Sequence, residues 1–168
     1  MKATTLALIL LILCTLPCGA QKNLTFSPLI QQCGMYYTSD RITADGVGLG
    51  LGLHLLHRTG LAAQADVNLL WLNGNSIPIR LALGYQRSGR WTPAAYLTAD
   101  AIVGQRTQFL SETGAKPPVP AWSFGVRITP LKFRTAKGFL SALELGVGIG
   151  PARLLNLEVT LFSAGISF

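Results

Sequence analysis

His54 and His57 are the first candidates for acid–base or metal chemistry, because they are the only histidines in this chain of 168 residues. They lie three positions apart, which on an extended strand puts them on opposite faces. They therefore make neither a zinc-ligand pair on one strand face nor a His-Glu-x-x-His arrangement. A catalytic role for His54 needs a neighbouring hydroxyl and a carboxylate. Ser123, Ser163 and Asp66 have the right types, but no spacing groups them with it. Cys14 and Cys18 fall within the first twenty residues, which leaves Cys33 alone, unable to form an internal disulfide or a thiolate zinc cluster. The run Gly46–Gly52 (GVGLGLG) has the glycine density of a phosphate loop but no Lys-Ser/Thr pair and no helix to follow it. No catalytic, cofactor-binding or metal-ligating residue is nominated, and no cofactor is expected.

The polar residues make sense only with the elements that carry them. Charged residues are 12% of the chain, about half the ~25% of an ordinary soluble domain, while 49% of it is hydrophobic and 18 residues are Gly. That mix excludes disorder. Met1–Ala20 has a basic start at Lys2, an apolar run Leu6–Leu13 and small residues before Gln21, the three-part pattern of a secretory signal peptide. The expected organisation is residues 1–20 as a cleaved signal and 21–168 as one domain. Lipidation at Cys18 is the rival reading, to which Pro17 is a poor fit.

After Ala20 the apolar residues recur at every second position, the period of a strand. In Gly46–Leu55, Val47, Leu49, Leu51, Leu53 and Leu55 share one face, and four Gly residues and His54 share the other. Further alternating runs are Leu61–Leu72, Ile77–Arg87, Trp91–Gln105, Ala121–Thr129, Phe139–Gly150 and Leu154–Phe168. A weaker run at Ile30–Thr38 supplies an eighth strand. The phase slips between Leu161 and Phe162, which predicts a bulge. Turn residues separate the runs, and the one long break is Arg106–Pro120.

The aliphatic faces carry no charge through their middles, and the opposite faces carry small residues and about one charge per strand. Soluble surfaces are rich in Lys and Glu, so the pattern suits a barrel turned inside out, with its aliphatic face on lipid. In lipid every backbone group needs a partner, so the sheet must close. In strand order the inward charges are Asp66, Arg80, Asp100, Arg127 and Glu144, with alternating sign. Neighbouring strands lie ~4.8 Å apart, so an interior ion-pair belt is expected. The glycine row should leave room for Tyr96, Arg80 and Arg127, giving a filled lumen and no wide pore. With the C-terminus periplasmic, 106–120 is an extracellular loop and Ser88–Arg90 a periplasmic turn. Tyr85, Trp91, Phe139 and Phe168 then form one aromatic girdle, and Trp71, Trp122 and Tyr36 or Tyr37 the other. The cluster Lys132, Arg134 and Lys137 reads as a solvated turn, with contact to phosphate head groups as the alternative. Its isolation argues against nucleic acid as a partner.

The alternating strands, the signal ending Gly19-Ala20 and the C-terminal Phe162-Ser163-Ala164-Gly165-Ile166-Ser167-Phe168 resemble small bacterial outer-membrane β-barrels of the OmpA/OmpX type. The resemblance implies an all-β, eight-stranded antiparallel up-and-down transmembrane β-barrel in the outer membrane of a Gram-negative cell. It also implies Ile166 and Phe168 as an assembly signal read by the barrel assembly machinery, although Gly165 departs from the usual spacing. The expected protein is a non-enzymatic monomer with a structural, adhesive or envelope-maintaining role, with outer-membrane lipid around it and an extracellular partner met through 106–120. Two rivals remain. One is an outer-membrane lipid-modifying enzyme using His54, although the His-x-Ser arrangement of the lipid A deacylases and palmitoyl transferases is missing. The other is a secreted soluble barrel binding an apolar ligand.

Overall fold

The computed structural model describes residues 23–38, 43–72, 76–104, 121–151 and 153–168. The signal segment, the lipidation candidate Cys18 and the long segment 106–120 lie outside them. Nine strands follow one another: β1 (Leu24–Thr38), β2 (Thr43–His57), β3 (Leu61–Leu72), β4 (Ser76–Gln86), β5 (Ala94–Gly104), β6 (Ala121–Thr129), β7 (Leu131–Thr135), β8 (Gly138–Gly150) and β9 (Leu154–Ile166). β1 to β6 pair antiparallel in chain order, both β6 and β7 pair with β8, β8 pairs with β9, and β9 pairs with β1. β6 and β7 are thus the two halves of one barrel strand, interrupted at Pro130, which has no N–H to give to a ladder. Eight staves close into a cylinder with no free edge. The weak Ile30–Thr38 signal is the C-terminal part of the 15-residue β1.

The faces divide as alternation requires. Leu49, Leu51, Leu81, Leu83, Leu97, Phe124 and Ile149 are each at least 60% exposed on the outside, while Asp66, Asn68, Arg80 and Arg127 are at most 2% exposed inside. A soluble barrel with an apolar interior is overturned by this arrangement, since its aliphatic rows would have to meet in the centre. With its lipid-facing aliphatic band and closed hydrogen bonding, the molecule is a transmembrane β-barrel with a polar, side-chain-filled interior.

The glycine row of β2 lets β3 approach closely, but not for the residues the sequence suggested. A Cβ on Gly50 would overlap Asn68 Oδ1, one on Gly52 would lie 2.7 Å from Asp66 Cβ, and one on Gly48 would strike the Leu69 carbonyl. The occupants are therefore Asn68 and Asp66 of the neighbouring strand rather than Tyr96 or Arg127. Because the obstacle at Gly48 is backbone, Gly48→Ala is expected to cost about 1–3 kcal/mol through overpacking. The urea midpoint of the detergent-folded protein measures this, and an unchanged midpoint would show that β2 and β3 can move apart.

A line of irregularity crosses three neighbouring staves. Between the pairs Gln32↔Phe162 and Cys33↔Thr160, β9 holds one more residue than β1, so Leu161 is a bulge. The pairs Ala142↔Phe162 and Glu144↔Thr160 set Leu143 opposite Leu161, and the pairs Ile128↔Leu145 and Leu131↔Ala142 set Pro130 opposite Leu143. Leu143 has φ 67°, the left-handed region that a residue with a Cβ seldom adopts. On the far side of β6–β7, Ala94 faces Thr129 but Trp91 faces Phe133, so the extra residue is absorbed there too. All three strands bulge together and keep register with one another while shifting against β1 and β5.

This line corrects two expectations. Phe139 is 7% exposed and points into the lumen, not into a girdle. Lys132 is 2% exposed and also points inward, not into a solvated turn. One inserted residue exchanges the two faces of everything beyond it. Simple alternation counted from Leu145 or Arg127 therefore assigns the wrong face past Leu143 and Pro130.

Candidate functional site

The candidate site is the lumen, where the inward positions of all eight staves place their polar side chains. Arg80 on β4 is its centre. Its Nε donates to Asp100 Oδ1 at 2.7 Å, and its Nη1 donates to Glu158 Oε1 and lies 3.6 Å from Asp66 Oδ1. Asp66 and Asp100 are on the adjacent strands β3 and β5. Glu158 is on β9, four staves away in either direction around the ring. The Arg80–Glu158 pair therefore lies across a diameter of the cylinder.

Arg127 on β6 is held more loosely. Its Nη1 lies 3.4 Å from Glu144 Oε2 and 3.9 Å from Asp66 Oδ2, and its guanidinium sits 5.2 Å from the centre of the Tyr96 ring. None of its three nitrogens makes a hydrogen bond within the protein. The five sequence-nominated charges thus share one network, but not as a ladder of neighbours. Arg127 reaches across to Asp66, and no Arg127–Asp100 pair is among the ion pairs of the described residues.

Neutral groups complete the carboxylate shells, as buried charges require. Asp66 accepts from Gln31 and Gln64 at 3.0 Å and from Asn68 at 2.7 Å. Glu144 accepts from Ser163 Oγ at 2.6 Å. The Cys33 thiol is fully buried and donates to Asn68 Oδ1 at 3.2 Å. Sequence reasoning missed Glu158 and Lys132. Glu158 alternates with Leu157 and Val159 and was open to the same argument as Glu144. Lys132 was hidden by the register fault at Pro130.

Below this network His54 meets Tyr96 Oη at 3.3 Å and accepts from Lys132 Nζ at 3.2 Å, while Lys132 Nζ sits 4.2 Å from the centre of the Phe139 ring. Neither Ser123 nor Ser163 is brought to the ring: Ser123 accepts from Asn156, and Ser163 donates to Glu144. His54 is 2% exposed and faces the lumen, whereas a lipid substrate would approach from outside. His57 bonds the Thr59 hydroxyl at 2.8 Å in the following turn. Among the described residues no cluster of His, Cys, Asp and Glu is arranged to hold a metal ion.

The rims carry the aromatics. Trp71, Trp122 and Tyr36 are between 40% and 46% exposed at the end where β3 finishes and β6 begins, and Tyr37 is buried. Tyr85, Trp91 and Phe168 are exposed at the opposite end, joined by Phe133. There Phe168 N donates to Phe26 O at 2.9 Å, which ties the end of the chain to the start of β1. Ile166 is 62% exposed beside it.

The sequence matches no protein-family model and no curated protein. The structure is similar to that of Neisserial surface protein A, with a TM-score of 0.58 and 12% identity over 85% of this chain and 97% of that one. It is also similar to Ail, the attachment invasion locus protein of Yersinia pestis, with a TM-score of 0.56 and 9% identity over 87% of this chain and 99% of that one. The fold is that of the small eight-stranded outer-membrane β-barrels of the OmpA/OmpX type.

Proposed function

We propose that this chain is an integral outer-membrane protein that acts as a monomer, without enzymatic activity, in an adhesive or envelope-maintaining role. The observation that carries the reading is the inversion of faces: uncharged aliphatic rows outside, ion pairs within. A signal at residues 1–20 delivers the chain, and Ile166 and Phe168 present the signal for barrel assembly. β5 ends and β6 begins at the end opposite Phe168, the end read here as exterior, and segment 106–120 is the contact surface proposed for an extracellular partner. That one similar barrel is an attachment invasion locus protein supports the adhesive form of the role.

The Arg80–Glu158 pair across the lumen supports a filled barrel without a wide pore rather than a general porin. The decisive experiment is expression in a Gram-negative host. The protein is expected in the outer-membrane fraction, migrating differently on a gel before and after boiling, as a closed barrel does. Recovery as a soluble periplasmic protein overturns the reading. Replacement of 106–120 by a short Gly-Ser turn should then abolish surface attachment while leaving the heat-dependent migration intact.

A further inference from the structure

Resting on the membrane reading, the lower rim, where Phe168 lies, has a charge pattern that the barrel itself does not need. Three turns close that end: 58–60 between β2 and β3, 87–93 between β4 and β5, and 136–137 between β7 and β8. Arg58, Arg87, Arg90, Arg134 and Lys137 occupy these turns or their edges, and all five are exposed. No Asp or Glu lies in the three turns. The acidic groups that the sequence might have used to balance them, Asp66, Asp100, Glu144 and Glu158, are sealed in the lumen.

Two of these cations are held together by backbone. Arg134 N donates to Arg90 O at 2.8 Å and Thr92 N donates to Lys132 O at 2.8 Å, which latches the β4–β5 turn onto β7. Between them is a shallow hollow lined by Gly89, Arg90, Arg134, Thr135 and Ala136. The same turn carries Trp91, whose Nε1 donates to Pro130 O at 2.8 Å and whose ring lies 5.6 Å from the Arg87 guanidinium. Amphipathic rings of this kind mark the depth of lipid headgroups. A guanidinium pair at that depth matches a phosphate by charge and by its fork of N–H donors.

We propose that this rim is a binding collar for anionic phospholipid headgroups, centred on the Arg90–Arg134 hollow. The cations are spread over three turns around the mouth, which suits several small headgroups better than one docked protein. Their level beside Tyr85, Trp91 and Phe133 places them against the membrane rather than out in solution.

The test uses the barrel in lipid nanodiscs of phosphatidylcholine with a minority of phosphatidylglycerol, bromine being placed on the acyl chains of one lipid or the other. In the W71F/W122F variant Trp91 reports on the lower rim, and in W91F the remaining tryptophans report on the upper one. Brominated phosphatidylglycerol is expected to quench Trp91 as though enriched about five-fold over the bulk. The enrichment should fall as salt screens it. The upper tryptophans should show none, and R90Q/R134Q/K137Q should abolish it at Trp91. Arg87 is kept in that variant because it touches the reporter ring.

Equal quenching of Trp91 by the two lipids overturns the proposal, as does a preference that survives the triple substitution. Capture of soluble polyglutamate without phosphatidylglycerol enrichment would make the rim a protein-docking surface instead. If neither brominated lipid quenches any tryptophan, the chain is not in the bilayer and the membrane reading itself fails. The unsubstituted protein gives an independent measure: native mass spectrometry should release it with phosphatidylglycerol in excess of phosphatidylcholine at equal supply, and parity overturns the collar.

Discussion

Arg80→Met is expected to destabilise the folded barrel by about 3–5 kcal/mol, the effect of removing one partner from a buried ion pair. The change strands three carboxylates at once. Asp100 loses the 2.7 Å bond from Nε, Glu158 loses its contact across the lumen, and Asp66 loses a cation 3.6 Å away. Asp66 keeps three neutral donors, so most of the loss falls on Glu158 and Asp100. Denaturant unfolding in detergent measures it through the tryptophan signal. Arg127→Met should cost distinctly less, because Arg127 sits 3.4 Å or more from its carboxylates and makes no hydrogen bond within the protein. Equal losses at the two positions would mean that the network responds to total lumen charge rather than to particular contacts. A double-mutant cycle of Arg80→Met with Glu158→Gln should show strong coupling although the two strands lie on opposite walls.

Leu51→Arg tests the other face. Leu51 is midway along β2 and 68% exposed. On a water-facing strand such a substitution stays within about 0.5 kcal/mol. Facing the middle of a bilayer it costs ~2–4 kcal/mol. The folding free energy in phospholipid vesicles should drop by that larger amount, and the same change at Leu61, close to the Phe168 end, should be milder because the penalty falls toward the interface. A neutral result at Leu51 would detach the aliphatic rows from lipid and remove the basis of the functional reading.

Period-two patterning made most of the fold legible. In β2, β3, β4 and β6 one face is mostly aliphatic or aromatic and the other mostly small or polar, so most of the inside can be read from the alternation. Closure followed from physics, since an open sheet cannot survive in hydrocarbon. What stayed hidden belongs to the register fault. The slip at Leu161–Phe162 shows because both residues are large and apolar. The matching slips at Pro130 and Leu143 leave no such mark, because Leu131 and Ala142 are as apolar as the residues they displace. Phe139 and Lys132 were misplaced for that reason alone. The cross-lumen contacts were illegible for a different one: alternation says which residues point inward, but not how far a guanidinium reaches once there.

The aligned interruptions at Pro130, Leu143 and Leu161 also constrain how such a chain can change in length. Deleting Leu161 alone would restore strict alternation from Thr160 to Phe162 and Ser163 and regular pairing with β1, but would leave Leu143, the extra residue of β8, with nothing opposite it. Deleting Leu143 alone would likewise keep Ser141 and Phe139 inward, but would set β8 one residue short against both β6–β7 and β9. A single-residue gain or loss in one strand of this seam therefore breaks its register with a neighbouring bulged strand unless that strand changes with it. Along this seam the length of the barrel wall is set across β6–β7, β8 and β9 together.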